Sequence, residues 1–160
     1  MKRVLDNILE KVLIALMAIM TLNVLWQVFS RYVLNAPSSF TDELARYLLI
    51  WIGMLGAAYA TGKRMHLAIS LIPSKWMNLY RERILGKVAA FLVGLFALLV
   101  LVIGGGRLVY LTYYLEQKSP ALEISLAYIY MVLPISGVLI IIYSISHFNN
   151  VVSHTEYSIK

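Results

Sequence analysis

The sequence predicts an all-α membrane protein: four transmembrane helices and a short interfacial amphipathic helix on the cytoplasmic side, with both termini cytoplasmic. Three observations lead there. First, 61% of the 160 residues are apolar and only 14% are charged, against about 45–50% and about 25% in a soluble domain. Mean hydropathy is +0.78, which also excludes a disordered chain, because disorder needs low hydrophobicity. Second, four stretches reach the roughly 20 apolar residues that cross a hydrocarbon core about 30 Å thick. Third, the Lys and Arg residues fall unevenly between the two sides of those stretches.

The spans are expected at about 12–33, 44–62, 84–110 and 124–145, within a single membrane domain covering 1–160. The first has no charge between Lys11 and Arg31. Its basic start fits a signal peptide, but Asp6 and Glu10 do not, and the apolar run exceeds the usual 7–15-residue signal core; we expect it to be retained. The second span carries Arg46 one turn inside its start. The third is uncharged between Lys87 and Arg107 and, continued to Leu115, would reach about 48 Å at 1.5 Å per residue. Gly104, Gly105 and Gly106 are its expected weak point, since Gly is a poor helix former. The fourth span is uncharged, and Pro134 and Gly137 are expected to kink it.

Orientation follows from charge. Ten Lys and Arg lie at the N-terminus, between spans two and three, and in the tail, against Arg31, Arg46, Arg107 and Lys118 on the other side. The net charge of +6 therefore reads as membrane topology and not as a nucleic-acid footprint. Tyr110, Tyr113 and Tyr114 suit the outer headgroup layer and Trp76 the inner one. In the inner loop Ser74 can cap a helix in which Trp76, Met77, Tyr80 and Ile84 recur at helical spacing. This is the expected interfacial helix of about 74–83, serving as a lipid anchor or a partner-docking element.

Little chemistry is available. The chain has no Cys, which removes disulfides, thiolate nucleophiles and Cys-ligated metals. His66, His147 and His154 all lie near inner ends, so no pair sits at matched depth for haem. No cofactor or metal is expected. The deepest polar groups are Asn23 and Gln27, four apart, with Ser30 and Arg31 continuing the stripe. They form either a seam for another protein's helix or a helix–helix hydrogen bond within the chain. Ser39 or Thr41 can cap the second span, and Asp42 and Glu43 fall in its first turn, where carboxylates oppose the helix dipole. Arg46 is within pairing distance of both. Gly53 with Ala57, Gly56 with Ala60, and Gly86, Ala90 and Gly94 supply small residues every fourth position, which let membrane helices approach closely.

One string goes further: Arg31-Tyr32, Pro37, Phe40-Thr41-Asp42-Glu43-Leu44-Ala45-Arg46, Trp51, Gly56-Ala57-Ala58 and Lys63-Arg64-Met65-His66, followed by Leu133-Pro134-Ile135 in the last span. It resembles the small membrane subunit, the Q component, of tripartite ATP-independent periplasmic (TRAP) transporters. The likeness covers length, span number and most of the chain; Phe40 stands where the family often has Trp. The resemblance implies an auxiliary, non-enzymatic subunit in the bacterial inner membrane. Its partners would be a large transmembrane subunit holding the sodium and substrate sites, a periplasmic substrate-binding protein, and phospholipid. The cargo would be an organic acid, a C4-dicarboxylate or a sugar acid such as sialic acid. Arg31, Asp42, Glu43 and Arg46 would be the shared outer-surface cluster, and Arg64, His66 and Trp76 an inner contact with lipid or protein. Two other classes stand beside this: the membrane anchor of a redox complex, and a small homodimeric exporter with a membrane-embedded carboxylate.

Overall fold

The computed structural model describes residues 2–36, 38–64 and 79–156. Helix α1 runs Lys2–Tyr32 and α2 Ser39–Arg64. A third rod is built from α3 (Leu79–Phe96), a π-helical stretch (Ala97–Gly104) and α4 (Gly105–Tyr114). The fourth is built from α5 (Leu126–Tyr130) and α6 (Val132–Glu156). Four of these segments are long and apolar enough to cross a membrane: Val4–Tyr32, Ser39–Lys63, Lys87–Tyr114 and Leu126–Ser146. His66, Trp76 and most of the expected interfacial helix lie outside the described residues; Leu79 onward is already α3.

Helix α1 starts well before its apolar run. Leu5, Leu9, Leu13 and Leu16 share one face, and that face packs on Ile50, Trp51, Met54, Leu55 and Tyr59 of α2 and on Tyr143 of α6. Helical geometry places the half-buried Asp6 and the exposed Glu10 beside this face. The helix ends at Tyr32, and the chain reverses through Asn35 at φ 50°, a residue type that tolerates the left-handed region. Ser38, not Ser39 or Thr41, caps α2: its hydroxyl accepts from the Thr41 amide at 3.4 Å while the Thr41 hydroxyl donates to the Ser38 carbonyl at 3.0 Å. Ser38 precedes the first helical residue by one, so Thr41 is the N3 position that a capping oxygen reaches.

The spans stand in a row and do not close on one another. Among the described residues α1 lies on α2, α2 on α6, and α6 on α3 and the π stretch, and the backbone of the third rod approaches neither α1 nor α2. Helix α6 is the shared wall, with 39% of its spanning window buried against none of α1's. Ala58 of α2, Ala97 and Leu101 of the π stretch and Ile140 of α6 form one buried cluster.

Two expectations about helix irregularity change. The glycine triplet does not break the third rod, because Gly104 and Gly105 keep right-handed helical backbone. The departure from α geometry lies before it, where Leu101 and Val102 press on Gly137. A Cβ on Gly137 would stand 2.7 Å from Leu101 Cβ and 2.9 Å from Val102 Cγ2. Gly137 is thus a close-approach residue and not a hinge. Pro134 does interrupt its span. Without an N–H for the Tyr130 carbonyl, it separates α5 from α6 at Met131, one turn earlier.

The small-residue stripes divide. Ala90 is buried against α6, whose Ser144 hydroxyl donates to the Ala90 carbonyl. Gly53 and Gly56 have open space around them.

Candidate functional site

One end of the bundle, where α1 ends, α2 begins and the α4–α5 loop lies, gathers polar residues. Asn23 and Gln27 face inward from α1 onto the first turn of α2. The Asn23 amide donates to the Thr41 carbonyl at 2.8 Å and the Gln27 amide to Asp42 Oδ1 at 3.0 Å. Ser30, 4% exposed, closes the stripe by donating to the Gln27 carbonyl. These bonds tie the end of α1 to the start of α2.

The four charged residues separate into three settings. Asp42 pairs with Arg46 through its second oxygen; with side chains 47% and 73% exposed, the pair is worth under about 1 kcal/mol. Arg31 lies over the Tyr32 ring, 6.0 Å from its centroid. Glu43 turns away from both and is only 9% exposed. Its Oε1 accepts from the Tyr47 hydroxyl at 2.6 Å, and its Oε2 from the Ala121 and Leu122 amides at 2.7 and 3.0 Å.

Those amides belong to a loop whose own geometry prepares them. α4 ends with the Glu116 amide on the Tyr113 carbonyl and the Gln117 amide on the Thr112 carbonyl, both 3.1 Å. This is the paired closure that places Glu116 in the left-handed region at φ 49°. The chain then makes one helical turn from Ser119, closed by the Glu123 amide on the Ser119 carbonyl at 3.0 Å. Ser119 acts as its cap and Pro120 takes the first position, where no N–H is needed. The next two amides point outward without intrahelical partners, and Glu43 fills them. An ionised carboxylate with all its donors supplied is a mechanical tie between α2 and the α4–α5 loop.

Sequence reasoning placed Glu43 in the cluster but missed its partner, since the contact joins residues 78 and 79 positions apart. The Ser119-Pro120 pair was the available signal for a prepared turn. A second tie was missed at the opposite end of the bundle. The buried Tyr143 of α6 donates to Asp6, and Tyr59 donates to Glu10 at 3.1 Å with the Lys63 ammonium 5.4 Å from its ring centroid. Tyr143→Phe is expected to cost about 1 kcal/mol of stability, the usual net value of one hydrogen bond, read as a lower thermal midpoint in detergent.

Comparison with known proteins places this arrangement. The family model described as the DctQ component of tripartite ATP-independent periplasmic transporters matches residues 8–154. The sialic acid TRAP transporter small permease protein SiaQ of Vibrio cholerae is 31% identical over 102 residues, 63% of this chain and 59% of that one. Two putative TRAP transporter small permease proteins of Haemophilus influenzae are also similar. One is 34% identical over 70 residues, 44% of either chain, and the other 28% over 134 residues, 84% of this chain and 79% of that one. The chain thus aligns with less than two thirds of the length of the first two.

Proposed function

This chain belongs to the DctQ family, the small permease component of TRAP transporters, and from that premise we propose that it is the static auxiliary subunit of a sodium-driven, binding-protein-dependent importer of an organic acid. The family is one of transporter subunits and not of enzymes. The observation that carries the scaffold reading is the Glu43 tie. It joins the outer end of α2 to the α4–α5 loop, and with the Asn23 and Gln27 bonds it fixes three outer segments relative to one another. A part meant to stay still beside a moving partner needs such bracing.

The large transmembrane subunit and the periplasmic binding protein are its partners in this reading, and the sodium and substrate sites lie in those chains. The cargo class, a C4-dicarboxylate or a sugar acid such as sialic acid, is supported by the Vibrio cholerae relative's name for the second. The ten inner Lys and Arg against four outer ones support cytoplasmic termini in the bacterial inner membrane. The exposed Arg31 and Arg46 and the half-exposed Asp42 are the residues offered to a partner, while Glu43 positions the surface they stand on. Arg64, His66 and Trp76 are assigned to the inner contact with lipid or the large subunit.

Co-purification tests this directly. The tagged chain, expressed with its neighbouring genes in mild detergent, is expected to bring down a many-span membrane protein in roughly equal amount. Liposomes holding both are then expected to take up substrate only with a sodium gradient and the binding protein. Recovery of the chain alone as a homo-oligomer that moves a solute unaided would overturn the proposal.

A further inference from the structure

The third rod holds one residue more than its contact face needs. From Ala90 to Leu101 the strip it buries or half-buries advances by four, three and four residues, the alternation that keeps one face of an α-helix on its neighbour. From Leu101 the advance is four to Gly105 and four again to Val109, before three to Thr112. The three successive steps of four from Ala97 to Val109 would carry an α-helical face about 120° off line at 3.6 residues per turn. The π stretch of Ala97–Gly104 absorbs that surplus, because its i→i+5 bonds take more residues into each turn. The face therefore stays on α6. A Cβ on Gly94 would stand 3.2 Å from Ser144 Oγ, and one on Gly105 would stand 2.8 Å from Leu133 Cβ.

The sequence carries a second face without the surplus. Continued from Leu101 in steps of three and four, the strip runs through Gly104, Leu108, Leu111 and Leu115, all of them exposed in this structure. In a continuous α-helix Gly104 would take the place of Gly105 against Leu133, and it has no side chain to prevent it. As the rod stands, a Cβ on Gly104 would meet only the Leu99 carbonyl of the same rod, so nothing in the present packing asks for a poor helix former there. Adjacent glycines make the crossing with α6 passable in two registers, one residue or about 100° apart. Since π winding beyond a single turn is rare, an eight-residue stretch needs something to hold it. The α4–α5 loop is bonded to the end of α4 and to itself: the Gln117 amide donates to the Thr112 carbonyl at 3.1 Å, the Leu126 amide to the Gln117 carbonyl at 3.0 Å and the Ser119 amide to the Ile124 carbonyl at 2.9 Å. A turn of α4 therefore carries the Ala121 and Leu122 amides with it, away from Glu43.

We propose that the third rod has two registers and that the Glu43 tie selects between them. With the tie made, the π stretch is held and Gly105, Val109 and Thr112 lie on the buried face. With the tie broken, the stretch winds to α, α4 turns by about 100°, and Gly104, Leu108 and Leu111 take that face instead. The exposed Arg107 and the stacked rings of Tyr110 and Tyr114 turn with α4, so the tie sets which side chains this end of the bundle presents. The proposal does not rest on the transporter reading, and its test measures the register of the purified chain and not uptake.

The chain has no cysteine of its own, so two introduced pairs read the register in the full chain, purified in detergent and treated with a mild oxidant. Gly105→Cys with Leu133→Cys reports the π register, and Gly104→Cys with Leu133→Cys the α register. A Cβ on Gly105 lies within about 1 Å of the separation that a disulfide spans. In the tied chain only the Gly105 pair is expected to bridge. Glu43→Ala is expected to raise bridging of the Gly104 pair about tenfold or more, the effect on a two-state balance of losing hydrogen bonds to a charge. Deletion of Ile103, an exposed residue of the π stretch, removes the surplus, so the face advances in threes and fours with Gly105 still against Leu133. That deletion is expected to keep the Gly105 pair bridging and to abolish the effect of Glu43→Ala on the Gly104 pair. Bridging at Gly104 that Glu43→Ala does not raise overturns the proposal. A rise that persists with Ile103 deleted is a general loosening of the helices and overturns it too, as does failure of the Gly105 pair to bridge in the tied chain.

Discussion

Glu43→Ala is expected to release the α4–α5 loop and, with it, the outer surface of the subunit. The substitution leaves the Ala121 amide and the Tyr47 hydroxyl without their acceptor, and the Leu122 amide with only the longer bond to Ser119 Oγ, in a site that is 9% exposed. Unmade bonds to buried donors are costlier than the same bonds are worth when made, and these are bonds to a charge, the stronger kind. Hydrogen exchange at Ala121 and Leu122 is expected to quicken by an order of magnitude or more, and co-purification with the large subunit to fail. Glu43→Gln is expected to be milder. Its amide oxygen can still accept from the two backbone amides while its NH₂ donates to Tyr47, so shape and bond number survive and only charge is lost. Arg46→Ala supplies the contrast: its partner is half-exposed, so fold stability should move by less than about 1 kcal/mol. Should Arg46→Ala still abolish uptake, Arg46 contacts a partner. Should Glu43→Ala leave both exchange and assembly unchanged, the tie has no role in presenting the outer surface.

The contrast between these two residues marks where the sequence stops being readable. That Asp42, Glu43 and Arg46 share the first turns of a capped helix follows from spacing alone, as does the Asp42–Arg46 pair, which is a local i,i+4 contact. That Glu43 ignores Arg46 and reaches a loop 78 residues away does not follow, because nothing local encodes which turn folds back over it. The same limit holds at the opposite end of the bundle. Asp6 and Glu10 read as charges at the start of an apolar run, whereas their partners Tyr143 and Tyr59 come from other spans. Span number was legible because each span must satisfy its backbone bonds within itself. The order of the row was not, because lipid-facing and helix-facing sides are equally apolar and no periodicity separates them.

Gly137→Ala is expected to give the largest loss of stability among the glycines at helix contacts, although alanine is the better helix former by about 1 kcal/mol. The added methyl would lie 2.7 Å from Leu101 Cβ and 3.2 Å from the Val102 backbone nitrogen. Neither atom is the far end of a flexible side chain, so relief requires α6 and the third rod to move apart. The contact in question is the central one of the row, between the most buried span and the π-helical stretch. Separation there loosens the packing of Ala97, Leu101 and Ile140 together. Overpacking of this kind costs about 1–3 kcal/mol, enough to outweigh the gain in helix propensity. Gly53→Ala isolates the propensity effect, since open space surrounds that position; it should leave the thermal midpoint of the purified chain unchanged or raise it. If Gly137→Ala instead matched Gly53→Ala, the two helices would not be in the close contact on which the row depends. A further substitution, Val102→Ala, removes the Cγ2 atom that stands 2.9 Å from the new methyl, and is expected to restore part of the loss only in the Gly137→Ala background. That non-additivity is the signature of a direct contact, and a simple sum of the two effects would place the destabilisation elsewhere in the fold.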